Sequence, residues 1–142
     1  MELILFMTDS KEHKATYIKT LNNSTYMPLF SVEHIHKWCL LNGKSLEGCI
    51  TSARHFLGNI NKAPIYINKH ACFFSIKDND KGCIFWINAN MILKVSKVSS
   101  FLSRLNFVNK EDMIICVNVR VILKQLDRCR FLSKALDHQK FD

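Results

Sequence analysis

Along this chain apolar positions alternate with polar ones for much of the length and shift to three- and four-residue spacing in two places, which predicts strands around two amphipathic helices. Glu2 to Met7 reads as a strand, the polar stretch Thr8 to His13 as a loop, and Lys14 to Thr20 as a second strand, so the N-terminus predicts a hairpin. Asn22-Asn23-Ser24 supplies turn chemistry, since Asn tolerates left-handed backbone angles and Ser bonds its own backbone. Ser31 ahead of Val32-Glu33 predicts the cap of a short helix through Trp38. From Ser45 the spacing becomes helical, with Leu46, Ile50, Ala53 and Leu57 on one face, Ser45 as N-cap and Gly58 as terminator. Pro64 opens an alternating stretch over Ile65 to Asn68, and β-type runs follow at Ala71 to Ile76 and Cys83 to Asn88. Between those two runs, Lys77 to Gly82 has hairpin chemistry. A second hairpin is expected from residues 101 to 108 and 113 to 117 around Asn109-Lys110-Glu111-Asp112. The chain closes with its clearest helix, on which Val119, Ile122, Leu123, Leu126, Cys129, Leu132 and Leu136 recur at helical spacing.

These elements predict an α+β fold: a mainly antiparallel sheet of about five or six strands packed by the Ser45 helix and the C-terminal helix. With 142 residues, the expectation is one domain over residues 1–142. An apolar fraction of 48% and a charged fraction of 23% are ordinary globular usage. No uninterrupted run of about 18 apolar residues exists, which argues against a membrane-spanning helix. The run Leu3 to Met7 follows Glu2 without a basic flank, so no secretory signal is read and a cytoplasmic protein is expected. The six cysteines lie largely within apolar runs and form no Cys-x-x-Cys pair, which favours reduced, core-filling thiols over disulfides.

Charge changes the picture most. Twenty Lys and Arg against twelve Asp and Glu give a formal net charge of +8, which favours a polyanionic partner. Arg120, Lys124 and Arg128 stand four apart and so form one stripe of the last helix, opposite its apolar face. Lys44, Arg54 and His55 flank the Ser45 helix, Lys62 precedes Pro64, and Lys94, Lys97 and Arg104 follow the central strands with few acids between. A solvated surface accounts for any one of these; their clustering favours phosphate contacts. Lys44, Arg54, His55, Lys62, Arg120, Lys124 and Arg128 are therefore the candidate phosphate-contacting residues, and charge alone leaves DNA, RNA and an anionic membrane open as the partner.

Other chemistry is weakly represented. His34, His36 and Cys39 lie close in sequence, but no second spaced Cys or His pair completes a tetrahedral zinc site, so no metal is expected. No Walker loop, dinucleotide fingerprint, His-Glu-x-x-His or Gly-x-Ser-x-Gly occurs, and neither an enzyme nor a cofactor is expected. Trp38, Trp86, Phe73, Phe74 and Phe85 have the chemistry to stack on unpaired bases, but their apolar surroundings favour core packing. A small hydrolase built on one thiol is a further reading, without a signature to support it.

The stretch from Cys39 through Gly43-Lys44-Ser45 to Gly48, then a helix-length gap and Lys62-Ala63-Pro64-Ile65, resembles the ComK family of bacterial competence transcription factors. The order continues through Phe73-Phe74, Cys83, Trp86-Ile87, Phe107-Val108-Asn109 and a final helix with Gln125 and Arg128, spanning roughly residues 32 to 132. The resemblance implies a transcription activator of competence genes that binds AT-rich boxes, largely through the minor groove, as a homo-oligomer on paired sites. It also implies RNA polymerase as a partner and delivery to a Clp protease by an adaptor. Cys49 stands where family members often have Arg, Phe74-Ser75-Ile76 where they have Phe-Pro-Thr, and most of the longest members' C-terminal extension is lacking. A short or divergent member is therefore expected, in which the lost Arg weakens a DNA contact. The competing reading is a protein-interaction module or adaptor that keeps the fold without binding DNA.

Overall fold

A computed structural model describes residues 3–137 of the chain. In chain order the strands and α-helices are β1 (Ile4–Ser10), β2 (Ala15–Thr20), β3 (Ser24–Pro28), α1 (Ser31–Leu41), α2 (Leu46–Leu57), β4 (Ile65–Asn68), β5 (Ala71–Lys77), β6 (Ile84–Asn88), β7 (Ile92–Lys97), β8 (Ser103–Phe107), β9 (Asp112–Ile115) and α3 (Val119–Asp137). A single turn of 3-10 helix, Ala89–Met91, joins β6 to β7. The first six strands form one antiparallel sheet in the order β3-β2-β1-β6-β5-β4, and the last three a separate antiparallel sheet, β7-β8-β9. The fold is α+β.

The large sheet is covered on both faces, which explains why Cys72 to Ile76 shows no alternation of buried and exposed positions: every residue of it, Ser75 included, is buried. On one face Phe73, Ile65 and Ile67 pack with Ile35 and Cys39 of α1 and Cys49 of α2. On the other, Cys72, Phe74, Ile76 and Ile87 meet Leu105 and Phe107 of the small sheet and Ile122, Leu126 and Cys129 of α3. Ala53, Ala63 and Leu132 join α2 to α3. The aromatics Phe73, Phe74 and Phe85 are buried, and Trp38 stacks on Phe73 with ring centroids 6.0 Å apart, so these rings serve the core.

Several sequence expectations change. Thr8 to Ser10 continue β1, paired with Tyr17 to Ala15, so the loop shrinks to residues 11 to 14; Glu2 lies outside the described residues. Ser31 does not cap α1. It is the first helical residue after the N-cap Phe30, and its N–H and hydroxyl both donate to Asp9 Oδ1 at 2.6 Å, so β1 supplies the helix with its anionic end group. That helix runs past Trp38 to Leu41. Strands β3 and β7 were not expected, and Leu123, assigned to the apolar face of α3, is 41% exposed.

The helix α2 follows its sequence signals. Ser45 accepts from the Gly48 N–H at 2.9 Å, and Gly58 ends the helix at φ +89°. A Cβ on Gly48 would lie 2.9 Å from Ser45 Oγ, so the cap and the glycine are coupled. Ser45→Ala is expected to cost about 1 kcal/mol. Gly48→Ala is expected to be near neutral alone, where about 1 kcal/mol of helix propensity is offset by loss of the cap, and stabilising by about that amount in the Ser45→Ala background. Urea melts of the four proteins check this; the same Gly48→Ala effect in both backgrounds would disprove the coupling.

Candidate nucleic-acid interface

The C-terminal helix positions its cations because its other side is fixed. Ile122, Leu126, Cys129 and Leu132 are buried, which leaves Arg120, Lys124 and Asp127 on the exposed side and Arg128 at its margin. Arg120, Leu123, Lys124, Asp127 and Arg128 together line a shallow open concavity.

Gln125 connects this stripe to the rest of the cationic set. The strand β4 pairs with β5 only as far as Ile65 opposite Phe73, so Ser75 lies beyond its reach. The buried Gln125, 4% exposed, donates to the Ser75 carbonyl at 3.2 Å and to the Lys62 carbonyl at 3.1 Å. Its own carbonyl accepts from Arg128 Nη1 at 3.1 Å. Lys62 holds a left-handed backbone, φ 54°, and lines a groove with Arg54. Arg54 Nε in turn donates to the Ile60 carbonyl at 3.4 Å. Gln125 thus joins the backbone of the 60–62 turn to Arg128, while the Arg54 and Lys62 side chains line a separate groove with Val32, Ile35 and Trp86.

The ion pairs among the described residues are Lys19 with Glu111 at 3.1 Å and Arg104 with Asp112 at 3.5 Å. None of Arg54, Lys62, Arg120, Lys124 and Arg128 enters one, so their charge is uncompensated by a direct acidic partner. Two sequence candidates sit differently. Lys44 is drawn inward, its Nζ donating to the Ile67 carbonyl at 2.6 Å and lying 4.7 Å from the centre of the Tyr66 ring. His55 is exposed at the last turn of α2 with its ring edge-on to Phe56, 5.0 Å away, and no contact joins it to the Gln125 group.

Sequence reading passed over Gln125 and Asn118 as site residues. Asn118 Oδ1 accepts from the Arg120 N–H at 2.9 Å at the start of α3, while its Nδ2 donates to the Ser100 carbonyl at 3.1 Å, tying the β7–β8 loop to the first turn of the helix. An Asn one residue ahead of a helix was a legible signal for the first bond; nothing local marked the second.

Most of the thiols lie in the core. All six are free, and Cys39, Cys49, Cys72 and Cys129 are buried. Burial, with Cys49 alongside, pushes the Cys39 thiol up to about 12, and burial, with Cys72 alongside, raises Cys129. A nucleophilic thiol needs the opposite shift. Cys49 Sγ lies 3.7 Å from Cys39 Sγ and 3.5 Å from the Tyr66 carbonyl, so position 49 faces inward. His34 donates from Nε2 to the Pro28 carbonyl at 2.5 Å, His36 is exposed, and no group of metal-binding side chains is found among the described residues. No helix among those residues is long and apolar enough to cross a membrane.

A basic α+β fold that carries Arg120, Lys124 and Arg128 along one helix, with none of them in an ion pair among the described residues, has a charge distribution that favours a polyanionic partner. Residues 2–140 match the family described as ComK protein, and the chain belongs to the ComK family, a family of competence transcription factors and thus of DNA-binding regulators. No curated protein and no solved structure gives a significant match.

Proposed function

We propose that the chain is a sequence-specific DNA-binding transcription regulator that recognises AT-rich boxes through the minor groove and activates competence genes. The observation that carries this reading is the exposed α3 stripe of Arg120, Lys124 and Arg128, none in an ion pair among the described residues, with Gln125 linking Arg128 to the backbone of the turn that carries Lys62. Those cations neutralise phosphates, while the narrow, strongly negative groove of A-tracts favours basic side chains and so the AT preference. Lys44 stands outside this contact set, its ammonium already bonded within the fold. Pairing of copies on DNA is supported by β3, an open sheet edge with Tyr26 and Met27 exposed and the exposed Leu29 just past its end. RNA polymerase and a Clp adaptor enter as partners through the family alone, as does the cytoplasmic location.

The test is a salt series on AT-rich and GC-rich duplexes. Five phosphate contacts give a slope of log K against log salt of about −4.5. The AT-rich duplex is expected to bind more tightly, with a minor-groove drug such as distamycin competing. Absence of binding at low salt sinks the reading and favours a protein-interaction module.

A further inference from the structure

The β7–β8 connection, residues 98 to 102, ends in the most exposed large apolar side chain among the described residues, Phe101, which is 75% exposed. The tip is not slack. Val98 N–H and Ser99 N–H both donate to the Leu102 carbonyl, at 2.9 and 3.1 Å, and Phe101 N–H donates to Ser99 Oγ at 3.3 Å. Asn118 holds the Ser100 carbonyl from outside the loop. A rigid backbone therefore presents a phenyl ring to solvent, with its flanking carbonyls already bonded.

We propose that Phe101 is a wedge that enters duplex DNA and partly unstacks a base step, anchored by the cations around it; this rests on the DNA-binding reading above. Three observations favour duplex DNA as the occupant. From Lys81 to Lys110 the chain has five basic residues, Lys81, Lys94, Lys97, Arg104 and Lys110, and no acid, so the tip stands in one of the two longest acid-free segments of the sequence, with Arg104 paired to Asp112 from outside it. Ser99 and Ser100, both exposed and polar, precede the ring at the tip, and its exposed apolar companion in the turn is the smaller Val98, so Phe101 is the dominant apolar projection of a narrow tip. A wedge needs only one such ring, and Phe is among the residues that pry base steps apart from the minor groove. The third observation is position: Asn118 bonds both the tip and the Arg120 N–H, so the wedge and the first cation of the α3 stripe share one support. In this arrangement α3 grips phosphates while the hairpin tip enters the groove beside them.

The experiment compares the full chain with Phe101→Ala and Phe101→Leu on an AT-rich duplex carrying 2-aminopurine, which brightens when its neighbours unstack. The wild type is expected to raise the fluorescence on binding. Phe101→Ala is expected to bind about 10- to 100-fold more weakly, to leave the salt slope unchanged and to give no fluorescence rise. Phe101→Leu, still an apolar wedge, is expected to recover both affinity and signal. The side chain is exposed, so thermal melts of the three proteins should coincide. Wild-type binding with Phe101→Ala equal to it in affinity and signal overturns the wedge, leaves the DNA-binding reading intact and points the tip at a protein partner. Failure of the wild type itself to bind at low salt overturns both.

Discussion

Replacing Arg120, Lys124 and Arg128 together by Gln lowers affinity for an AT-rich duplex by about 500-fold in 0.1 M salt and flattens the slope of log K against log salt by about 2.7, if each makes one phosphate contact whose energy is counterion release. Two of the three side chains are exposed and none is in an ion pair among the described residues, so the folded protein should tolerate the change. Gln at position 128 removes the bond that Arg128 gives Gln125 without disturbing the bonds Gln125 makes to Lys62 and Ser75. Fluorescence anisotropy over a range of salt concentrations separates the two effects. A lower affinity with an unchanged slope would mean that the stripe acts through shape and not through phosphate neutralisation.

Asp78→Ala is expected to have the largest effect on stability, a loss of about 3 to 4 kcal/mol, or roughly 10 °C in Tm. Asp78 is 2% exposed, and its carboxylate accepts from the N–H groups of Asp80, Lys81 and Cys116 at 3.0, 2.8 and 3.0 Å. The first two lie in the β5–β6 turn and the third just past β9, so one side chain fastens the large sheet to the small one. Burial pulls its pKa upward, but those N–H donors and Lys81 outweigh it and hold the group below its ordinary value. A carboxylate lowered in this way contributes its full stability above the unfolded-state pKa, and the contribution is lost as pH falls through the folded-state value. The gap between wild type and Asp78→Ala should therefore be constant near neutrality and narrow below about pH 4. Chemical denaturation at several pH values checks this; a gap that widens in acid contradicts the assignment.

Much of the fold was legible where the signal is local. The Ser45 cap, the Gly58 stop and the repeat from Ile122 to Leu136 needed only neighbouring residues. The missed strands lack such signals. Every residue of β3 is exposed, so no buried face produces alternation, and β7 carries a register shift between Ile92 and Lys94 that breaks its period. The cap of α1 comes from Asp9, 22 residues away, and no local reading finds it. The candidate site divides along the same line. The four-residue spacing identified the α3 stripe, whereas the turning inward of Lys44 and the link from Lys62 to Arg128 depend on which elements pack together. Phe101 reads as the start of a strand in sequence, and only the hairpin geometry shows it at a tip.

The strand order β3-β2-β1-β6-β5-β4 also bears on how the chain is made. The first strand lies inside the sheet, with Phe6 opposite Ile87, so its second neighbour is synthesised about eighty residues after it. At usual rates of translation the inner edge of the N-terminal hairpin waits on the order of 4 to 16 seconds for that partner. During that time the apolar side chains of Ile4, Leu5 and Met7 have no finished layer to enter. The nascent chain therefore passes through an aggregation-exposed stage before it can fold, and its yield in the cell depends on what shields that edge until β6 arrives.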